Sequence, residues 1–344
     1  MKKIKVGING FGRIGRAFLK VAWDRPEIEI VAVNDLGYVA NMAYLLKYDT
    51  VYKHWAHDIS INGQNIVIDG KNVKVLAEKD PSMLPWKDLN VDVVVESTGL
   101  FTSYDKADAH IKAGAKKVVI SAPAKAEKDQ TGGVAGETIL LGVNEEKFGT
   151  CDITSNASCT TNAASPLIAI LDEALGIEKA VLNTVHGYTA SQALVDGPNK
   201  KDLREGRAAA ENIVPSSTGA AIAVTKAFPE LTGLFDGISI RVPVVAGSIV
   251  DVTFISKKNT SAEEVNEILK KASKNKRWAN LFTVTEEPLV SSDILGSRYV
   301  SIADLAMTRV VGGNLVKVMG WYDNEMGYTY TLVDHVIKTG NTIK

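Results

Sequence analysis

Short apolar runs alternate with helix-period segments along the first half of the chain. Ile4–Ile8, Ile28–Val33, Val91–Glu96 and Lys117–Ile120 read as strands, and Arg13–Trp23 and Tyr104–Ala113 read as helices between them. Strands that alternate with helices in this way predict a parallel, doubly wound α/β sheet. The texture changes after about residue 157. A helix over Thr160–Leu175 is followed by longer strand-like runs at Phe235–Val245, Ser248–Ser256, Leu281–Thr285 and Asn314–Met319. Ser261-Ala-Glu-Glu opens a further helix to Ser273 with a capping-box pattern. Long strands grouped with few helices predict an α+β second domain on a mixed or antiparallel sheet. The tail Gly327–Thr339 reads as a closing helix that returns to the first domain.

With 344 residues, the chain exceeds one compact core and suits two domains. Lys plus Arg number 39 and Asp plus Glu number 40, for a formal net charge of −1. That balance gives no general attraction to nucleic acid or an anionic membrane, so any anion site must be local. The N-terminus lacks a secretory pattern, and no apolar run approaches the roughly 20 residues that span a bilayer. The two cysteines, Cys151 and Cys159, are too few for a disulfide framework. A cytoplasmic location is the expectation. A zinc site is not expected, because the cysteines stand eight apart without a second pair.

The first strand runs into Gly10-Phe-Gly12-Arg13-Ile14-Gly15 and a helix follows. Glycines there permit a tight turn and a close approach of backbone to pyrophosphate, while the helix start supplies amides and a favourable dipole. The second strand ends at Asn34-Asp35. A carboxylate at Asp35 can accept hydrogen bonds from an adenosine ribose and repel a 2′-phosphate. Motif, context and spacing together predict dinucleotide binding.

Cys159, in Ser155-Asn-Ala-Ser-Cys-Thr-Thr-Asn162, falls between a strand and a helix and has polar neighbours. A first helical turn favours a thiolate, and a nearby imidazolium would favour it further. His186, in Thr184-Val-His-Gly-Tyr-Thr189, is the natural partner, whereas His54, His57, His110 and His335 read as surface or packing residues. Cys151 reads as a small core residue. Phosphate could be held at Asn199–Arg207, with Lys200, Lys201, Arg204 and Arg207. Further candidates are Pro215-Ser-Ser-Thr218-Gly219, before an Ala-rich helix, and Arg241 after a strand.

Several long motifs in order make the chain resemble the glyceraldehyde-3-phosphate dehydrogenase family over nearly its whole length. They are Gly7–Arg16, Glu96–Phe101, Ser121-Ala-Pro123, Ser155–Asn162, Pro215–Ala220, Arg241-Val-Pro243 and Trp321–Glu325. The resemblance implies a Rossmann domain over 1–158 plus 322–344, a catalytic domain over 159–321, and a homotetramer. It implies Cys159 as nucleophile and His186 as its activator and base. It also implies an attacking-phosphate pocket of Ser158, Thr160, Thr218 and Gly219. Thr189, Arg207 and Arg241 would contact substrate phosphate, with Arg241 shared between the two sites. For NAD, it implies Gly10, Gly12, Arg13 and Ile14 at the pyrophosphate, Asp35 at the ribose, and Lys79, Ser121 and Asn324 as further contacts. Asn324 would stand at the nicotinamide. The implied reaction oxidises an aldehyde through a thioester that inorganic phosphate releases as an acyl phosphate.

Some positions depart from the family pattern. Ala163 stands where many relatives carry a cysteine, and Ser191 replaces an acidic residue or threonine. Lys79 replaces a frequent arginine and loses its planar fork. The loop Lys125–Thr138 is extended and has no assigned role. Gly197-Pro198 matches the NAD-type pattern. An erythrose-4-phosphate dehydrogenase is the related alternative, disfavoured by Gly187-Tyr-Thr189. A catalytically silent NAD-binding regulator is the unrelated one, disfavoured by the intact Cys159 and His186.

Overall fold

The computed structural model describes residues 3–124, 133–200 and 202–343. Lys201 and the 125–132 portion of the unassigned loop lie outside them. Two compact units form. The first comprises Met1–Ile139, Glu145–Ala157 and Thr329–Lys344, and the second Leu140–Asn144 and Ser158–Tyr328. Compared with the sequence segments, 140–144, Ser158 and 322–328 group with the second unit.

The first unit is built on a nine-stranded sheet, which is Rossmann-type. Its centre is Ile4–Asn9, flanked in parallel by Ile28–Asn34 on one side and Val93–Glu96 on the other. Lys117–Ile120, Ile153–Ser155 and Gly136–Thr138 extend the parallel order on the Val93–Glu96 side. On the opposite side Lys71–Leu76 is parallel, and Asn65–Ile68 and Ile59–Asn62 close the edge as antiparallel strands. Helices on both faces force the central strands to be apolar throughout. Val6, Ile8, Ala32, Val33, Val94 and Val95 accordingly have 0% exposure. The strand order reverses at Ile4–Asn9, and such a switch point opens a crevice beyond the carboxyl ends of the strands.

The second unit carries an eight-stranded mixed sheet. Its longest strand, Ile177–Gly187, pairs in parallel with Phe235–Val242 and antiparallel with Ser248–Ser256. Leu315–Tyr322 runs antiparallel to Ser248–Ser256. The Cys159–Leu175 helix is buried almost all round, with Ala163, Ala164 and Leu167 at 0% exposure. The Ala262–Ser273 helix starts as its capping sequence predicts, with Ser261 Oγ accepting the Glu264 amide at 3.2 Å. Phe235–Val242 stops short of the expected Val245 because Pro243 has no amide to continue the ladder.

The Met326–Gly340 helix ends the chain, and its 329–340 portion belongs to the first unit. There His335, at 0% exposure, contacts Thr154 Oγ1 at 2.8 Å and Asn156 Oδ1 at 3.1 Å. Burial pushes its imidazole down to about 3, so it is neutral. No helix among the described residues is long and apolar enough to cross a membrane.

Candidate active site

Three strands of one sheet and one helix start build the site in the second unit. Cys159 opens the Cys159–Leu175 helix and is partly exposed. The chain enters through Ala157, whose φ of 54° is a left-handed conformation that a residue with a Cβ rarely adopts. Ser158 caps the helix, its Oγ accepting the Thr161 amide at 3.0 Å. Strained entry and cap together set the sulfur at the mouth of the helix, where the dipole favours negative charge.

His186 stands near the end of Ile177–Gly187 and is 3% exposed. Its Nε2 lies 3.4 Å from Cys159 Sγ. The parallel register pairs His186 with Arg241 on the next strand. Arg241 Nη1 therefore comes to 2.6 Å from His186 Nδ1, which is also 2.6 Å from Gly187 O. These two contacts are alternatives, since Nδ1 cannot donate to a carbonyl and accept from a guanidinium at once. With a proton on Nδ1 held by Gly187 O, Nε2 offers its lone pair to the sulfur.

Electrostatics set this pair differently from the imidazolium expected on sequence grounds. Burial, and then the Arg241 charge, push His186 down to about 3, so the ring is neutral. Burial pushes the Cys159 thiol up, while the Arg241 charge and hydrogen bonds from Thr160 work against that rise. Arg241, rather than an imidazolium, is thus the cation that favours the thiolate. Its Nε is buried without a hydrogen-bond partner. A buried unpaired donor is costly unless a ligand satisfies it.

Two residues that the sequence did not single out complete the cluster. The Tyr322 ring meets His186 edge-on, with centroids 5.9 Å apart. Its hydroxyl lies 2.9 Å from Thr160 Oγ1 and 2.7 Å from Thr184 Oγ1, and all three side chains are buried. Tyr322 lies inside the Trp321–Glu325 motif, but nothing in one sequence says where its hydroxyl points.

The remaining phosphate candidates are held within their own loops. Thr189 Oγ1 meets Ser191 Oγ at 3.1 Å, and the Thr189 amide donates to Gln192 Oε1 at 3.4 Å. Thr218 Oγ1 accepts the Ala220 amide, and Gly219 leads into the short Ala220–Thr225 helix with open space where a Cβ would stand. The exposed Arg207 is paired with Asp196 at 2.8 Å. Asn324 Oδ1 accepts Gly247 N at 3.0 Å and Ser248 Oγ at 3.1 Å.

The dinucleotide turn lies in the first unit, at the sheet's switch point. Gly10 has φ 93°, and a Cβ there would come within 2.7 Å of Ser97 and Thr98 backbone. At Gly15 a Cβ would stand 2.1 Å from Gly10 O. Gly12 faces open space, leaving a cradle that a larger residue would fill. The helix begins at Arg13 and Ile14, whose amides belong to its first turn. The Arg13 guanidinium is turned to Asp49, at 3.1 Å. Asp35 is fixed by two amides, Phe11 N to Oδ2 at 2.8 Å and Gly37 N to Oδ1 at 2.9 Å. Each carboxylate oxygen keeps a lone pair for a further donor. Ser121 N donates to Glu96 O, and the exposed Lys79 follows Glu78, whose backbone is clamped by Asn34. These residues fit the cofactor that the motif implies.

Comparison with known proteins agrees with this geometry. Residues 4–104 match the model of the glyceraldehyde 3-phosphate dehydrogenase NAD-binding domain, and residues 158–324 match that of its C-terminal domain. The chain is 48% identical over 343 residues to glyceraldehyde-3-phosphate dehydrogenase 2 of Streptomyces avermitilis, covering 99% of each. It is 47% identical over 333 residues to the Geobacillus stearothermophilus enzyme of that name and 46% identical to glyceraldehyde-3-phosphate dehydrogenase 1 of Bacillus subtilis, with 96% of each chain covered. A Rossmann turn shaped for NAD, a cysteine–histidine pair beside a half-buried arginine, and relatives aligned end to end place this chain in the glyceraldehyde-3-phosphate dehydrogenase family of NAD-dependent oxidoreductases.

Proposed function

We propose that the protein oxidises glyceraldehyde 3-phosphate to 1,3-bisphosphoglycerate with NAD and inorganic phosphate, through a thioester on Cys159. The observation that carries this reading is the 3.4 Å approach of Cys159 Sγ to His186 Nε2 beside the Arg241 charge. The Cys159 sulfur adds to the aldehyde carbon as its thiol proton passes through Nε2 to the carbonyl oxygen, and the resulting hemithioacetal hydroxyl presents that proton back to Nε2. His186 accepts that proton as a neutral base, with Nδ1–H held by Gly187 O. Bound NAD supplies the hydride acceptor. Phosphate then attacks the thioester and releases the acyl phosphate, returning the thiolate.

Arg241 is assigned to substrate phosphate, its unpaired Nε being suited to a dianion. Thr189 and Arg207 are assigned with it, and Arg207 exchanges Asp196 for phosphate when engaged. Ser158, Thr160, Thr218 and Gly219 are assigned to the attacking phosphate. Gly10, Gly12, Arg13 and Ile14 hold the NAD pyrophosphate, and Asp35 the ribose. Lys79, Ser121 and Asn324 complete the NAD contacts. Residues 1–158 with 322–344 are assigned as the NAD-binding domain and 159–321 as the catalytic domain. The assembly proposed is a homotetramer working in the cytoplasm in glycolysis and gluconeogenesis.

The direct test is NADH formation from glyceraldehyde 3-phosphate. Turnover should require phosphate or arsenate and should fall to a slow hydrolytic rate without either. Sustained turnover independent of both would refute the phosphorylating reaction, and a marked preference for erythrose 4-phosphate would refute the substrate.

A further inference from the structure

A row of buried hydrogen bonds runs beneath the carboxyl ends of the strands in the first unit, and its donors all point toward Glu96. Glu96 closes Val93–Glu96 and is 1% exposed. Asn9 Nδ2 donates to its Oε2 at 2.6 Å, and His110 Nε2 lies 2.9 Å from the same oxygen. These two nitrogens stand 3.4 Å apart because both aim at one acceptor. Oε1 accepts the Thr98 amide at 2.8 Å and the Thr98 hydroxyl. On one side the row ends at Trp86, whose Nε1 donates to His110 Nδ1 at 3.0 Å. An indole N–H only donates, so Nδ1 accepts and the ring proton stands on Nε2, facing Glu96. On the other side Asn34 Nδ2 donates to Asn9 Oδ1 at 2.7 Å, and the Glu78 amide donates to Asn34 Oδ1 at 2.8 Å. A backbone amide can no more be reversed than an indole. Both ends of the row are fixed donors, so the orientation of each group between them follows. Only a side chain that accepts at both oxygens fits at position 96. Asn9, Asn34, Trp86 and His110 are buried too, so water does not stand in for a missing acceptor.

We propose, resting on the assignment of Gly10, Asp35 and Lys79 to NAD, that Glu96 is the positioning residue that sets these three in one frame. Three members of the row each immediately precede one of them: Asn9 before Gly10, Asn34 before Asp35, and Glu78 before Lys79. Backbone closes the frame as well. Gly10 N donates to Asn34 O at 2.8 Å, and Asn34 Nδ2 also donates to Glu78 O at 2.8 Å. The Glu96 carboxylate is bonded to Asn9, His110 and Thr98, so it acts on the cofactor groups through Asn9 and Asn34. A buried carboxylate contributes little to stability, because its desolvation offsets much of what its partners supply. What it specifies here is polarity, since every amide in the row turns its N–H toward it. Glutamine at 96 has the same shape but sets an NH₂ group against donors. In the NAD-free variant the strand ends relax away from that conflict. Binding NAD demands the original frame again, so the penalty falls on affinity.

The test is calorimetric titration of the full-length protein with NAD and with ADP-ribose, which keeps the adenosine and pyrophosphate and lacks nicotinamide. Glu96→Gln should raise both dissociation constants about tenfold. Its kcat at saturating NAD and its KM for glyceraldehyde 3-phosphate should stay within about twofold of wild type, since only cofactor binding is weakened. His110→Gln keeps a donor toward Glu96 and an acceptor toward Trp86, and should bind NAD as wild type does. His110→Leu removes both and should weaken NAD in the same sense as Glu96→Gln. Unchanged dissociation constants in Glu96→Gln overturn the proposal even if Tm falls, because a merely structural role lowers the folded fraction and not its affinity. An equal loss in NAD affinity and in KM for the aldehyde overturns it too. If Glu96→Gln does not fold, the two His110 variants decide, and equal NAD affinity between them overturns the proposal. Asp35→Ala separates the two readings. If it weakens NAD while Glu96→Gln does not, only the positioning role falls. If Asp35→Ala binds NAD as tightly as wild type, the assignment of the cofactor groups itself falls.

Discussion

Arg241→Leu removes the cation that, among the described residues, faces both reactive groups, and its two effects separate by substrate. In the protein, Nη1 touches His186 Nδ1 at 2.6 Å and Nε is buried without a partner. A phosphate that takes up Nε and a second guanidinium nitrogen gains two hydrogen bonds to a charged group. At about 1.5–3 kcal/mol each, their loss costs about 3–6 kcal/mol, or on the order of 10²–10⁴ in kcat/KM for glyceraldehyde 3-phosphate. Unphosphorylated glyceraldehyde cannot use those bonds and should lose only about tenfold, from the charge withdrawn from Cys159. The same withdrawal relieves one of the two causes that depress His186. Leucine also leaves Gly187 O as the sole partner of Nδ1, which favours the productive tautomer. Steady-state kinetics on both aldehydes at saturating NAD and phosphate give the comparison. An equal proportional loss on the two substrates would refute the phosphate role and make Arg241 structural.

Cys159→Ser should lose nearly all turnover, and iodoacetamide should label Cys159 well before Cys151. The first sulfur faces Arg241 whereas the second faces Glu137, so equal labelling by peptide mass spectrometry counts against this assignment. His186→Asn should slow the pre-steady-state hydride burst by about 10²–10⁴; an unchanged burst makes the histidine a bystander. Asp35→Ala should weaken NAD by about 1.5–3 kcal/mol or more, since its carboxylate also organises Phe11 N and Gly37 N. Discrimination against NADP should shrink without reversing, because no new cation receives the 2′-phosphate. Wild-type protein using NADP as efficiently as NAD contradicts that role. For His335, held at about 3 in the fold, the native form binds fewer protons than the unfolded chain below pH 6.5. Its contribution is complete above pH 6.5 and is lost as pH falls toward 3. His335→Gln should therefore flatten the decline in unfolding free energy between pH 7 and 5 by about 2 kcal/mol. Parallel curves from denaturant titrations would show that His335 is not the group responsible.

Taken alone, the sequence determined the elements whose pattern is dictated by complete burial. Ile4–Ile8 and Lys117–Ile120 were legible almost to the residue, because strands covered on both faces must be apolar throughout. The turn at Gly10–Gly15 was legible because its backbone excludes larger side chains, as the 2.1 Å approach at Gly15 shows. Cys159 and His186 stood out by residue type and surroundings. The strand that carries His186 did not. In Ile177–Gly187 the buried positions include Thr184 and His186, while Val181 faces outward, so the apolar alternation that marks a strand is broken. The hairpin strands Ile59–Asn62 and Asn65–Ile68 were hidden for a similar reason, being short and mostly exposed on one partner. Only the tertiary structure set the charges. His186 reads as a possible imidazolium in one dimension, yet 3% exposure beside Arg241 makes it a neutral base. Tyr322 is likewise one tyrosine among ten in the chain, until the sheet brings its hydroxyl between Thr160 and Thr184. Proton affinity depends on dielectric and on distances of a few ångströms between residues remote in sequence, and those exist only once the chain has folded.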